Sequence, residues 1–220
     1  MLYGYLPQLL AGTWVTIQLA FTALLFGTLL GFLFALAKLS NNKVCYIIAE
    51  IITSFIRGLP ELLIIFMVYF AGTIVLAKLW GSYVNVSPFF SGALALAFIF
   101  SAYLAETLRG AYLAIEQGQL IAARAYGFTA GQCFWRITLP QMWHYALPGF
   151  GNLWLVLIKD TAIVSLIGLS DLMSATHVAS AATAKPFIFY LTAGAIYLAL
   201  TSLSMIILRY ATQRSAMRHD

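Results

Sequence analysis

The chain has 220 residues, of which 62% are hydrophobic and 9% charged, with a mean hydropathy of +0.91. A soluble domain carries about 25% charged residues, so this composition excludes a soluble enzyme and points to a chain integral to a membrane. The net charge of +5 comes from basic residues scattered along loop edges, which fits cationic loops held on the cytoplasmic side and not a nucleic-acid footprint.

The uncharged run Trp14 to Ala37 is 24 residues long. As a helix it reaches about 36 Å, enough to cross a hydrocarbon core of about 30 Å. It is too long for the apolar region of a signal peptide, and no basic segment precedes it, so it is expected to remain as the first span. A polar turn, Lys38 to Lys43, follows. Cys45 to Phe55 is apolar apart from Glu50 and breaks at Arg57, Gly58, Leu59 and Pro60. The second span is Glu61 to Ala77, and Gly81 to Pro88 is a turn-rich loop. The third span is Phe89 to Ala105, closed by Glu106 and Arg109, which are spaced for a pair on one helix face.

Gln117 to Pro140 is a polar, basic, Gly/Ala-rich insert between apolar stretches. Its position reads as a docking surface for something outside the membrane. Ala122, Ala123, Ala125 and Gly127 form a narrow surface that another backbone can approach, and Gly127 permits a turn that larger residues resist. Phe128, Phe134 and Trp135 supply apolar anchors. Leu139 and Pro140 are expected to end this part before the next span. The fourth span is Ala146 to Ile158, meeting Lys159 and Asp160. Ser170 to Lys185 is small and polar, the fifth span is Phe187 to Leu208, and a basic tail runs from Arg209 to Asp220. The fold expected is all-α, a single membrane domain over 1–220 with five transmembrane helices.

Nine Lys and Arg residues fall on the side of the insert and the C-terminus, and two, Lys78 and Lys185, on the other. That asymmetry places the N-terminus outside and the C-terminus in the cytoplasm. Cys45 and Cys133 then face a reducing compartment, so no disulfide is expected. His144, His177 and His219 show no metal spacing, no phosphate-binding loop is present, and no hydrolase pattern stands out, so neither metal, cofactor nor catalytic residue is expected.

Two acids lie at or inside membrane edges, Glu61 and Asp160. A carboxylate at membrane depth costs several kcal/mol unless it meets a cation or water. Each has a local alternative: Glu61 as a charge in the first turn of a helix, Asp160 as a partner of Lys159 or a cap for a helix starting at Thr161. Together they favour a site for a cation that enters and leaves. Asn152 could hydrogen-bond a substrate or join two helices.

The insert resembles the cytoplasmic loop of permease subunits in binding-protein-dependent ABC importers. That loop reads Glu-Ala-Ala, three residues, Gly, nine residues, Ile-x-Leu-Pro. Here Ala122, Ala123, Gly127, Ile137, Leu139 and Pro140 match its spacing, and Ile121 departs from it where the family usually has Glu. TWVT over 13–16, IRGLPE over 56–61, AYLAETLRG over 102–110 and ALPGFGN over 146–152 resemble the polar amino-acid subfamily. PQMWHYALP over 140–148 and LVLIKDTAIVS over 155–165 are similar to arginine-type and histidine-type members.

The resemblance implies a bacterial inner-membrane permease subunit that forms the translocation path. It implies a second permease subunit, identical or homologous, two cytoplasmic ATPase subunits that carry the ATP hydrolysis, and a periplasmic or lipid-tethered binding protein. It makes 117–140 the coupling helix, with Ala122, Ala123, Gly127 and Phe128 facing the ATPase. It gives Glu61 and Asp160 a substrate with a cationic side chain, arginine, lysine, ornithine or histidine. The rival readings are a secondary transporter working without ATP and a membrane assembly protein.

Overall fold

The computed structural model describes residues 4–80 and 86–216. All the described elements are helices, and five helical rods are long and apolar enough to cross a membrane: Leu6–Lys38, Glu61–Leu79, Pro88–Leu113, Ala130–Ile167 and Pro186–Tyr210. The five expected spans are present, and most are longer than their uncharged stretches. Of the loop expected over 81–88, residues 81–85 lie outside the described residues.

Helix α1 (Leu6–Lys38) is apolar on every side, as a helix between lipid and protein must be. Its buried stripe recurs every three or four residues, through Leu9, Gly12, Thr16, Leu19, Ala23, Gly27, Gly31 and Ala35. The opposite face shows Phe21, Leu25, Leu29 and Leu33. Small residues in the stripe let α1 lie against α5 (Pro88–Leu113), the most deeply buried rod. A Cβ on Gly27 would stand 3.0 Å from the Ala97 carbonyl oxygen, and one on Gly12 would stand 2.7 Å from the carbonyl oxygen of Asp171. The contact at Gly12 is closer than a Cβ comes to a backbone oxygen, and the one at Gly27 would force its neighbour to give way.

Helix α2 (Lys43–Gly58) starts where the Asn42 side chain accepts the Val44 amide at 2.9 Å. It ends at Leu59 and Pro60, whose extended backbone redirects the chain into α3 (Glu61–Phe66). A π-helical turn, Met67–Ala71, joins α3 to α4 (Gly72–Trp80).

After α5 comes α6 (Gln117–Ala125). Its end is closed by Phe128 N–H donating to the Ala123 carbonyl and Gly127 N–H to Arg124, both at 3.0 Å, with Gly127 at φ +85°. This is the left-handed closure for which glycine is favoured. Thr129 and Gln132 then cap α7 (Ala130–Cys133) reciprocally.

The expectation that Leu139 and Pro140 end the insert is overturned. The chain stays helical from α7 through a π-helical turn, Phe134–Thr138, into α8 (Leu139–Asp160) and a 3-10 turn, Thr161–Ile167. Pro140 sits in the first turn of α8, where a missing N–H and a fixed φ are tolerated. The fourth rod therefore begins in the insert itself. The polar stretch 170–185 is also ordered, as α9 (Leu172–Thr183), capped by Asp171 accepting the Ser174 amide at 2.9 Å. Helix α10 (Pro186–Ala216) is the last of the described elements.

Candidate functional site

Asn152, Leu153, Val156, Leu157 and Asp160 repeat at the three- and four-residue intervals of one helix face, and α8 turns that face inward. With Glu61 from α3 and Phe100 and Tyr103 from α5, they line a cavity of about 300 Å³. The three residues singled out as substrate contacts, Glu61, Asp160 and Asn152, thus share one space. That volume is at the small end of ligand sites.

The electrostatics of this cavity are unbalanced. Glu61 occupies the first turn of α3, where the helix dipole favours an anion. Asp160 is the last residue of α8, where the dipole opposes one. Its backbone is helical and its side chain makes no capping bond to the turn that follows, so the capping alternative for Asp160 does not hold. Among the described residues no Lys or Arg forms an ion pair with either acid. The two carboxyl groups are close enough to interact with each other. Two carboxylates in an apolar enclosure repel unless a proton or a cation joins them. Phe100 and Tyr103 add aromatic side chains to the lining.

Phe100 and Tyr103 were not legible in the sequence as part of this cavity's lining. They are an i,i+3 pair in a span rich in aromatic and apolar residues, and nothing local distinguishes them from packing.

Lys159, next to Asp160 in sequence, acts on it only through the field of its charge and forms no ion pair with it. The cations nearest to Glu61 in sequence are committed elsewhere. Arg57, four residues before Glu61, donates to Glu106 Oε1 at 3.1 Å. Lys38 also donates to Glu106 Oε1 and lies 3.0 Å from Glu50 Oε2, with its own side chain fully buried. The expected Glu106 and Arg109 pair is present at 3.8 Å, as one arm of this larger cluster. The Lys38 ammonium, chiefly through its hydrogen bond, holds the Glu50 carboxyl below the usual carboxylate range, against a smaller effect of burial.

In the insert, Ala122 is exposed and Ala123 is buried, so the alanine pair does not face one way. Gly127 stands at the open end of α6, and Phe128 is half-buried beneath the Arg136 guanidinium, 6.0 Å from the ring centre. Ile121, Tyr126 and Trp135 are the large apolar groups left outward, at 68%, 87% and 68% exposure.

Residues 27–217 match the family described as the inner membrane component of binding-protein-dependent transport systems. The chain belongs to that family. It is therefore a permease component of an inner-membrane transport system. It is 42% identical over 208 residues to the histidine/lysine/arginine/ornithine transport system permease protein HisQ of Salmonella typhimurium, covering 93% of this chain and 91% of that one. It is 39% identical to the arginine ABC transporter permease protein ArtQ of Haemophilus influenzae, covering 95% of this permease and 94% of the relative. A crystal structure of an amino acid ABC transporter with histidines superposes with a TM-score of 0.85 at 32% identity, covering 96% of this permease and 95% of that chain.

Proposed function

We propose that this permease is the membrane subunit of an ATP-driven importer of basic amino acids and that the cavity between α3, α5 and α8 takes the cationic side chain. The observation that carries this reading is the convergence of Glu61, Asp160 and Asn152 on one cavity whose lining contains no Lys or Arg. Similarity to permeases named for histidine, lysine, arginine, ornithine and arginine transport supports it.

The chemistry follows from charge. A guanidinium or ammonium entering the cavity supplies the missing countercharge and forms charge-assisted hydrogen bonds with one or both carboxylates. Asn152 offers an amide to the polar part of the substrate. When the bundle opens to the cytoplasm, water reaches the acids and weakens that attraction, which releases the substrate. Opening and closing require work from outside this chain. That work comes from two cytoplasmic ATPase subunits acting on 117–140, with a second permease subunit beside this one and a binding protein delivering substrate to the opposite face.

The orientation proposed is N-terminus outside and C-terminus in the cytoplasm, with 1–220 as one membrane domain. The test is reconstitution. The permease is purified with its ATPase subunit, and ATP hydrolysis is followed as an arginine-loaded binding protein is added. Stimulation by the arginine-loaded form supports the reading, whereas uptake that proceeds without any ATPase subunit removes it in favour of a secondary transporter.

A further inference from the structure

The basic residues of the cytoplasmic end divide into two groups. Lys38, Arg57 and Arg109 converge on Glu106, and Lys38 also meets Glu50. Arg124 and Arg136 have no carboxylate partner among the described residues. The insert that carries them, 117–140, contains no Asp or Glu. Arg136 is exposed, and its stacking over Phe128 orients the guanidinium without neutralising it.

Arg136 also lines a cleft of about 540 Å³ between the insert and the start of α8, together with Gln119, Gln141, His144 and Tyr145. Gln141 Nε2 donates to Gln119 Oε1 at 2.6 Å, which ties α6 to α8 across the cleft. Besides the Arg136 guanidinium the lining carries side-chain amides and a phenol, with Ile137 and Pro140 as its apolar part. A planar carboxylate is the group that a guanidinium fork fits best.

We propose that this cleft receives an acidic side chain of the ATPase subunit, so that the permease contributes the cation and the ATPase the anion at their contact. The proposal rests on the reading that the insert meets an ATPase. Charge complementarity carries it: an uncompensated arginine in a cleft with side-chain amides and a phenol, on a segment with no acid. The composition around the cleft favours a protein over a lipid headgroup. Arg, Trp and Tyr are enriched at protein interfaces, and the same insert exposes Ile121, Tyr126 and Trp135 as apolar anchors. Ile121, largely exposed where an acid would repel an acidic partner, fits the same polarity.

The experiment uses the full permease in nanodiscs and the ATPase subunit that co-purifies with it, identified by its phosphate-binding loop. Binding of the ATPase is measured for the unaltered chain and for Arg136→Glu, Arg136→Lys and Ile121→Glu. Each is measured in discs of phosphatidylcholine alone and in discs containing phosphatidylglycerol. Arg136→Glu is expected to weaken binding about ten-fold or more, in both lipids, with Arg136→Lys falling between it and the unaltered chain. Ile121→Glu, at an exposed position that leaves the fold intact, is expected to weaken binding too. Tighter binding by Ile121→Glu, or unchanged binding by Arg136→Glu, overturns the proposal. A loss confined to phosphatidylglycerol discs also overturns it, because the occupant is then a lipid headgroup. If the unaltered permease binds no ATPase, the underlying reading fails; if it binds normally and the variants behave otherwise, only the polarity is wrong.

Discussion

Arg57 reaches from the last turn of α2 to Glu106 of α5, placing its guanidinium nitrogen 3.1 Å from the carboxylate. The same oxygen accepts from Lys38 at the end of α1. One acid therefore joins three helices, and it removes from circulation the cation nearest in sequence to Glu61. The lining of the cavity between α3, α5 and α8 holds no Lys or Arg, while three basic residues converge on Glu106.

Glu106→Gln is expected to destabilise the permease by about 3 kcal/mol, because it leaves the fully buried Lys38 ammonium with only Glu50. Lys38→Met in the same background should recover part of that loss, since the uncompensated charge is then gone. Thermal unfolding in detergent, with the two single variants and the double variant side by side, measures the recovery. No recovery in the double variant argues against Lys38 as the source of the cost.

The Glu50 carboxyl is held below its ordinary range by Lys38, so its contribution is present above the unfolded-state value and is lost as pH falls through the lowered one. Glu50→Gln should therefore melt below the unaltered permease at neutral pH and converge with it in acid. The gap is expected to be small, because the Glu50 side chain is 38% exposed and water screens the pair. A gap that widens on acidification contradicts the assignment.

Asp160→Asn and Glu61→Gln are each expected to weaken transport of arginine about ten-fold, the cost of turning a charge-assisted hydrogen bond into a neutral one. Glutamine transport should change much less. Both substitutions are nearly isosteric, so association with the ATPase should survive. Competitive uptake of the two amino acids, with subunit stoichiometry recorded alongside, separates a role in reading charge from a role in folding. Equal loss for both substrates points to folding.

Gly127 stands at φ +85° with open space where a Cβ would be. Backbone conformation is thus its only steric constraint, and Asn tolerates that conformation better than other side chains. Gly127→Asn should retain ATPase binding and coupled uptake. Gly127→Asp has the same shape and adds a negative charge on the face proposed to meet the ATPase, so it should lose most of both. Equal behaviour of the two variants would falsify a charge-sensitive contact there.

The orientation is checked with Ser87→Cys and Ser215→Cys, each in a Cys45→Ser background. An impermeant thiol reagent should modify the first in spheroplasts and the second only after lysis. Ser87 is exposed at the start of α5, on the side that carries few basic residues. The reverse pattern would invert the whole topology, and with it the side on which the insert lies.

The five spans, the insert and the left-handed turn at Gly127 were legible in the residues themselves. Each depends on local properties: a run of apolar side chains long enough for the bilayer, a basic segment between two runs, a glycine at a helix end. Asn152 and Asp160 are also readable as one face, since they are eight apart on a single helix. Local reasoning failed at Leu139 and Pro140, because a proline in the first turn of a helix looks in sequence like one that ends it. The stretch 170–185 read only as small and polar, yet over 172–183 it forms α9, whose buried Leu172, Ala175, Thr176, Ala179 and Ser180 lie on one helix face. What only the tertiary structure decided is which charges meet. Lys38 and Glu106 are 68 residues apart, and Glu61 and Asp160 belong to different spans. An ion pair in a membrane bundle is set by how the helices cross, and no spacing within one helix encodes that crossing. The bundle brings Glu106 to the cations and, among the described residues, leaves Glu61 and Asp160 without an ion pair, and that distribution makes two costly acids a candidate cation site.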